Sequence, residues 1–178
     1  MAYYTYDKNY LHSNKDGISR VDLAEAYFKR GYNCAQAVSL AFADLFGLDN
    51  ELMLRISASF GGGIGRMREV CGAVSGMCIV LGLFAGVDAE LDYDKADSVS
   101  INKAKSENYR LVQEAVSMFK DKNNGMFICR DLLGLSDAAQ KETHVAADRT
   151  SEYYKKRPCA ELVKICAEIT IAVLDKYQ

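Results

Sequence analysis

Eighteen consecutive residues, Val70 to Val87, carry no charge, and a run of that length either spans a membrane or is buried on every side. Its composition and flanks favour burial. Gly72, Gly76, Gly82 and Gly86 interrupt it, Arg66 and Arg68 precede it, and Asp88, Glu90, Asp92 and Asp94 follow it. The run therefore predicts a central apolar helix over about residues 67–87, with the rest of the chain packed around it.

The remaining sequence is punctuated for helices and holds a single proline, Pro158. No stretch keeps the two-residue alternation of a strand. Ile18, Val21, Leu23, Ala24, Tyr27 and Phe28 fall near helical spacing and end at Gly31. Asn33 caps a second helix that runs to Phe46 and stops at Gly47, and Asp49 or Asn50 caps a short third. Beyond the acidic connection an amphipathic helix is expected from about Ala96 to Phe119, ended by Asn123-Asn124-Gly125. A shorter one opens near Cys129 and stops at Gly134, a polar one runs from Asp137 towards Tyr153, and the last starts at Pro158. The fold class expected is all-α: a single-domain helical bundle whose short connections make neighbouring helices antiparallel. Residues 1–17, rich in tyrosine, are expected to be loosely ordered, with 18–178 forming the domain.

At 178 residues one domain can bury a sizeable core without disulfide staples, and six cysteines are too sparse for a disulfide scaffold. Met1 to Arg20 holds no apolar run of the kind a signal peptide needs. The expected compartment is therefore reducing and cytoplasmic. A net charge of −2 with both signs mixed gives no reason to expect nucleic acid or an anionic membrane as partner. In a reducing compartment a cysteine serves as an apolar filler, a metal ligand or a redox group, so each has to be weighed separately.

The cysteines separate by position. Cys34 follows the cap Asn33, Cys129 follows the Asn-Asn-Gly break, and Cys159 follows Pro158, which puts all three in first helical turns. Unsatisfied N–H groups and the helix dipole favour a thiolate there, drawing a pKa of about 8.5 towards neutrality. Arg130 beside Cys129, and Arg157 two residues before Cys159, add to that effect if their side chains turn inward. Cys71 qualifies differently. Gly72 and Gly76 lie four apart on one helix face, each costing on the order of 1 kcal/mol relative to alanine, so another backbone or a ligand is expected against that face. Tight helix packing alone and the approach of a second cysteine-bearing helix end explain the glycines equally well. Cys78 and Cys166 sit deep in apolar helical runs without start signals and read as structural packing residues.

Several familiar chemistries are excluded. There is no Cys-x-x-Cys, and His12 and His144 are the only imidazoles, both expected at the surface. Gly61-Gly62-Gly63-Ile64-Gly65 with Arg66 and Arg68 matches neither a P-loop nor a dinucleotide fingerprint, and reads first as a flexible turn into the central helix.

Taken in order, Gly31-Tyr32-Asn33-Cys34-Ala35-Gln36, Phe60-Gly61-Gly62-Gly63, Cys71-Gly72-Ala73-Val74-Ser75-Gly76, Cys129-Arg130-Asp131-Leu132-Leu133-Gly134 and Cys159-Ala160-Glu161-Leu162-Val163 resemble the C_GCAxxG_C_C family. That family is described as redox-active and is defined by four cysteines and a CGAxxG motif. The resemblance covers roughly residues 20–175 and falls on Cys34, Cys71, Cys129 and Cys159, leaving out Cys78 and Cys166. It implies thiol–disulfide exchange or electron transfer by those four, with Asn33, Gly72, Gly76 and Arg130 in support. The alternatives are a metal site made by the same four cysteines, holding an iron–sulfur cluster or zinc, and a helical interaction module in which every cysteine merely packs. The partner expected is a redox protein of unknown identity, with a peripheral link to a transporter and a homodimer as further expectations. The sharpest geometric expectation is that Cys34, Cys71, Cys129 and Cys159 gather around the face made by Gly72 and Gly76.

Overall fold

Seven α-helices form among the residues that the computed structural model describes, which are 3–86, 98–135, 143–146, 150 and 157–178. They are α1 (Arg20–Lys29), α2 (Cys34–Leu40), α3 (Asn50–Ser57), α4 (Gly72–Ala85), α5 (Ser98–Lys122), α6 (Cys129–Leu132) and α7 (Cys159–Tyr177). The fold is all-α. Among the described residues extended pairing is confined to two isolated bridges, Ser13 with Ser19 and Val70 with Ile128.

Most helix ends fall where the local chemistry puts them. Ser19 caps α1 by accepting from the Asp22 N–H, and Asp49 caps α3 by accepting from the Leu52 N–H. Asn33 caps α2 more completely: its side chain accepts from the N–H groups of Ala35 and Gln36, while the Gln36 side chain accepts from the Asn33 N–H. The second helix is shorter than its apolar pattern predicts. It leaves α geometry at Leu40 and tightens into a 3-10 turn over Ala43–Phe46 before Gly47 stops it at φ +63°.

The central helix also starts late, at Gly72 rather than near residue 67. Ile64, Arg66 and Arg68 occupy left-handed backbone at φ +56°, +68° and +63°, which no helix accommodates. The helix expected from Asp137 to Tyr153 falls largely outside the described residues; where the chain is described there, over 143–146, it bends and is not helical.

α4 sits at the centre. Met77, Val80, Leu81 and Phe84 are at most 1% exposed, and no residue of the helix is fully exposed. Burial of each such side chain contributes roughly 1.5–3 kcal/mol, so the charge-free run is a large contributor to the core, alongside α7. α2, α5 and α7 pack against α4, and α1 closes the layer between α2 and α7. No described helix is long and apolar enough to cross a membrane.

Residues 3–17 carry more fixed contacts than their composition suggests. The Tyr3 ring stacks on Phe84 at 4.6 Å between centroids, and the Tyr4 N–H donates to the Phe84 carbonyl at 2.8 Å. Leu11 is buried. Arg20, fully buried, joins this segment to the end of α2 by donating to the carbonyls of Tyr10 and Ala41 and pairing with Asp44.

Candidate functional site

The four cysteines singled out by the sequence arrive at one place on four separate helix starts. Cys34, Cys129 and Cys159 are the first residues of α2, α6 and α7, and Cys71 is the N-cap of α4. All four line a single cavity of about 260 Å³. Cys78 and Cys166 are not among its lining residues. Among the supporting residues, Asn33 and Gly72 line the cavity and Gly76 lies one turn deeper in α4.

Glycines make this convergence sterically feasible. A Cβ added at Gly72 would lie 3.2 Å from the Cys34 Cβ and 2.9 Å from the Phe60 carbonyl, and one at Gly76 would lie 2.6 Å from the Ala35 carbonyl. What approaches the small-residue face of α4 is thus the start of α2, the segment that carries Cys34. The glycine loop does the same on the other side. A Cβ at Gly61 would lie 2.6 Å from Cγ of Asn33, and one at Gly63 would lie 2.7 Å from the Cys129 Cβ. The loop read as a flexible turn is in fact a fitted cradle, closed by Ile64 N–H to Phe60 O, Gly65 N–H to Ser59 O and Glu69 N–H to Gly63 O.

The short bridge between Val70 and Ile128 sets Cys71 and Cys129 side by side. The Cys71 N–H donates to the Phe127 carbonyl at 3.0 Å, the Cys129 N–H to the Glu69 carbonyl at 2.7 Å, and the Arg130 N–H to the Arg68 carbonyl at 3.1 Å. Two strands of loop, distant in sequence, are zipped so that each delivers one cysteine to the same wall.

Charge around the sulfurs differs from the sequence expectation in one residue. Arg130 does not face Cys129; its side chain turns to Glu69 at 3.6 Å. The guanidinium beside that sulfur belongs to Arg68, whose Nη1 lies 3.9 Å from Sγ of Cys129, with the side chain buried at 3% exposure. Arg157 acts on the same thiol from further away, lowering its pKa. Arg66 also lines the cavity, with its Nε donating to the Thr143 carbonyl, and so does the exposed His144.

Burial reverses the expected thiol acidity at Cys129. Cys71, Cys129 and Cys159 are only 4%, 7% and 7% exposed, whereas Cys34 is partly open. Burial pushes the Cys71 thiol up to about 12, against which the N–H groups of Ala73 and Val74 act without forming a capping hydrogen bond. It also raises Cys129, with Arg68 opposing, and lifts Cys166 well above the ordinary range. The helix-start field is present at Cys71 and Cys129, but desolvation of the anion outweighs it. Cys166 lies close enough to Cys71 for their charges to interact, which places a fifth sulfur behind the cavity wall.

No disulfide joins the six cysteines, and among the described residues no three His, Cys, Asp or Glu side chains are arranged to hold a metal ion. The four thiols share a cavity.

No curated protein and no solved structure matches the chain. The family described as "Putative redox-active protein (C_GCAxxG_C_C)" matches residues 32–173, a span that holds all four cavity cysteines, and the chain belongs to that family.

Proposed function

We propose that this is a thiol redox protein of a reducing, cytoplasmic compartment, and that Cys34, Cys71, Cys129 and Cys159 carry a thiol–disulfide exchange. One observation supports the reading above all: four cysteines far apart in sequence, and not the other two, open on one cavity. Packing alone gives no reason for that division.

The roles follow from access. Cys34, the most open of the four, meets the substrate, and the buried thiols behind it resolve the mixed disulfide. A protein thiol attacks a substrate disulfide RS–SR, one RS⁻ leaves with the proton that the thiol gave up, and a second cysteine displaces the other RS⁻. Two electrons pass from the protein dithiol to the substrate, giving a protein disulfide and two RSH.

Replacing Cys34 or Cys159 by serine is expected to abolish exchange, while Cys78→Ala leaves it intact. An unchanged rate in the Cys34→Ser protein would overturn the assignment.

A further inference from the structure

We infer that Cys78 and Cys166 form a second dithiol centre beneath the cavity, one that takes over the disulfide made there; the inference rests on the thiol–disulfide reading and extends it inward. The sulfurs are arranged in two layers. Cys71 and Cys159 stand at the starts of α4 and α7 and open on the same cavity, and these two helices pack against each other. Cys78 and Cys166 each follow seven residues later. Seven residues are almost two full turns, so each returns to the side of its helix that carries the first cysteine, roughly 10.5 Å further along the axis. Equal spacing on two packed helices that start together gives a matched second pair. Cys166 is fully buried and Cys78 half-buried, and both pack into the apolar cluster that holds Cys71 and Cys159.

The path between the layers runs across the two helices. A disulfide needs Cα atoms about 4.4–6.8 Å apart, so neither Cys71 with Cys78 nor Cys159 with Cys166 can bond along its own helix. Cys166 is the sulfur placed to make the crossing: besides burial, the charges of Cys71 and Cys78 both act on it, so it lies near one cysteine of each layer. The exchange with substrate is complete at the cavity and needs neither deep cysteine; the transfer follows it. Once a cavity disulfide includes Cys71, the Cys166 thiolate attacks Sγ of Cys71 and displaces its cavity partner, which takes up the proton that Cys166 gave up. The Cys78 thiolate then attacks Sγ of Cys166 and displaces Cys71 in the same way. The cavity dithiol is restored and the disulfide joins Cys78 to Cys166, with no oxidant beyond the RS–SR already consumed. Burial slows the step, because only a thiolate attacks, while packing offsets this by holding attacker and target together. At the far end, a Cβ at Gly82, one turn beyond Cys78, would meet no described atom within 4 Å, so the half-buried thiol has open space beside it.

Disulfide mapping over time tests the inference. The reduced full chain is treated with one equivalent of bis(2-hydroxyethyl) disulfide, remaining thiols are alkylated at intervals in denaturant, and the cross-linked peptides are identified by mass spectrometry. Cyanogen bromide cuts after Met77 and trypsin after Lys164, which separates Cys71 from Cys78 and Cys159 from Cys166. A disulfide among the cavity cysteines is expected first, and a Cys78–Cys166 peptide is expected to grow as the first one decays. In Cys78→Ala the cavity disulfide should form at the wild-type rate and stop at the cavity or at Cys71–Cys166. In Cys34→Ser the Cys78–Cys166 peptide should form at least tenfold more slowly, because its source is lost. A cavity disulfide that persists while Cys78 and Cys166 stay fully alkylated would overturn the transfer and leave the cavity exchange standing, with both deep cysteines as apolar packing. Formation of Cys78–Cys166 in Cys34→Ser at the wild-type rate would also overturn it, since the reagent would then reach the deep pair without the cavity. Absence of any disulfide in the wild-type chain would remove the thiol–disulfide reading and the transfer together.

Discussion

Nη1 of Arg68 lies 3.9 Å from Sγ of Cys129, and the backbone of the same arginine accepts from the Arg130 N–H, so one residue holds both the sulfur and the turn that presents it. Burial raises the Cys129 thiol and the guanidinium opposes that rise. Arg68→Met therefore leaves desolvation less opposed and moves the pKa higher still. Labelling of Cys129 by iodoacetamide at pH 8, followed by mass spectrometry, is expected to slow by about tenfold, the equivalent of one pKa unit. Arg68→Lys should recover part of the rate. A Met variant that labels as fast as wild type would show that the guanidinium does not act on the thiol.

The glycines of α4 make opposite predictions. Gly76 has the Ala35 carbonyl 2.6 Å from where a Cβ would sit, while Gly82 has nothing within 4 Å. Gly76→Ala pushes α2 away from α4 and is expected to cost about 1–3 kcal/mol in urea unfolding, with Cys34 moving with the helix. Gly82→Ala, in the same helix and free of contact, should instead stabilise by up to about 1 kcal/mol through helix propensity. If both variants shift the midpoint in the same direction, backbone freedom rather than close approach governs the motif.

How far the sequence exposes this site depends on whether the signal is local. The cap at Asn33, the stop at Gly47 and the start beside Pro158 are local chemistry, and each appears within a few residues of its predicted position. The start of α4 does not, because its N-cap is a cysteine rather than a capping residue, and the loop before it is shaped by hydrogen bonds to residues 127–130. Cys71 was legible as a site residue through Gly72 and Gly76, yet its place at a helix start was not. Arg130 misleads for a related reason. Adjacent helical residues point about 100° apart, so a neighbour in sequence to Cys129 turns to Glu69, while Arg68, remote in sequence, turns inward. At Cys129 thiol acidity does not follow from the helix start alone, because burial is a property of the whole fold.

Stability should fall in alkali, and the sign is fixed by the thiols. Burial holds Cys71 at about 12 against an ordinary 9.0, with Cys129 and Cys166 raised as well. Below pH 9 the thiols are protonated in both states and the native state keeps its full stability. Between pH 9 and about 12 the unfolded chain releases protons that the folded chain retains, so each such thiol lowers stability by up to about 1.4 kcal/mol per pH unit. The urea midpoint is expected to decline through that window, and less steeply in Cys71→Ala. A midpoint independent of pH from 9 to 11 would mean that these thiols ionise as readily folded as unfolded.

Asn33 performs three tasks beside Cys34, and two substitutions separate them. Its Oδ1 accepts from the N–H groups of Ala35 and Gln36 at 3.0 Å each, its N–H donates to Oε1 of Gln36 at 3.1 Å, and its Nδ2 donates to the Ala58 carbonyl at 2.9 Å. α2 is only seven residues long, so the cap is a large part of what holds the Cys34 turn. Asn33→Ala loses the side-chain cap and the tie to Ala58, and is expected to cost roughly 1–2 kcal/mol. In a chain of this size that lowers Tm by about 2–8 °C. Asn33→Asp keeps the cap and loses the donor to Ala58, so its Tm should fall less, while the added carboxylate beside Cys34 opposes thiolate formation and slows Cys34 labelling. The measurements are a melting curve and site-resolved alkylation on the same three proteins. If Asn33→Asp melts as low as Asn33→Ala, the bond to Ala58 rather than the capping box fixes Cys34 at the cavity mouth.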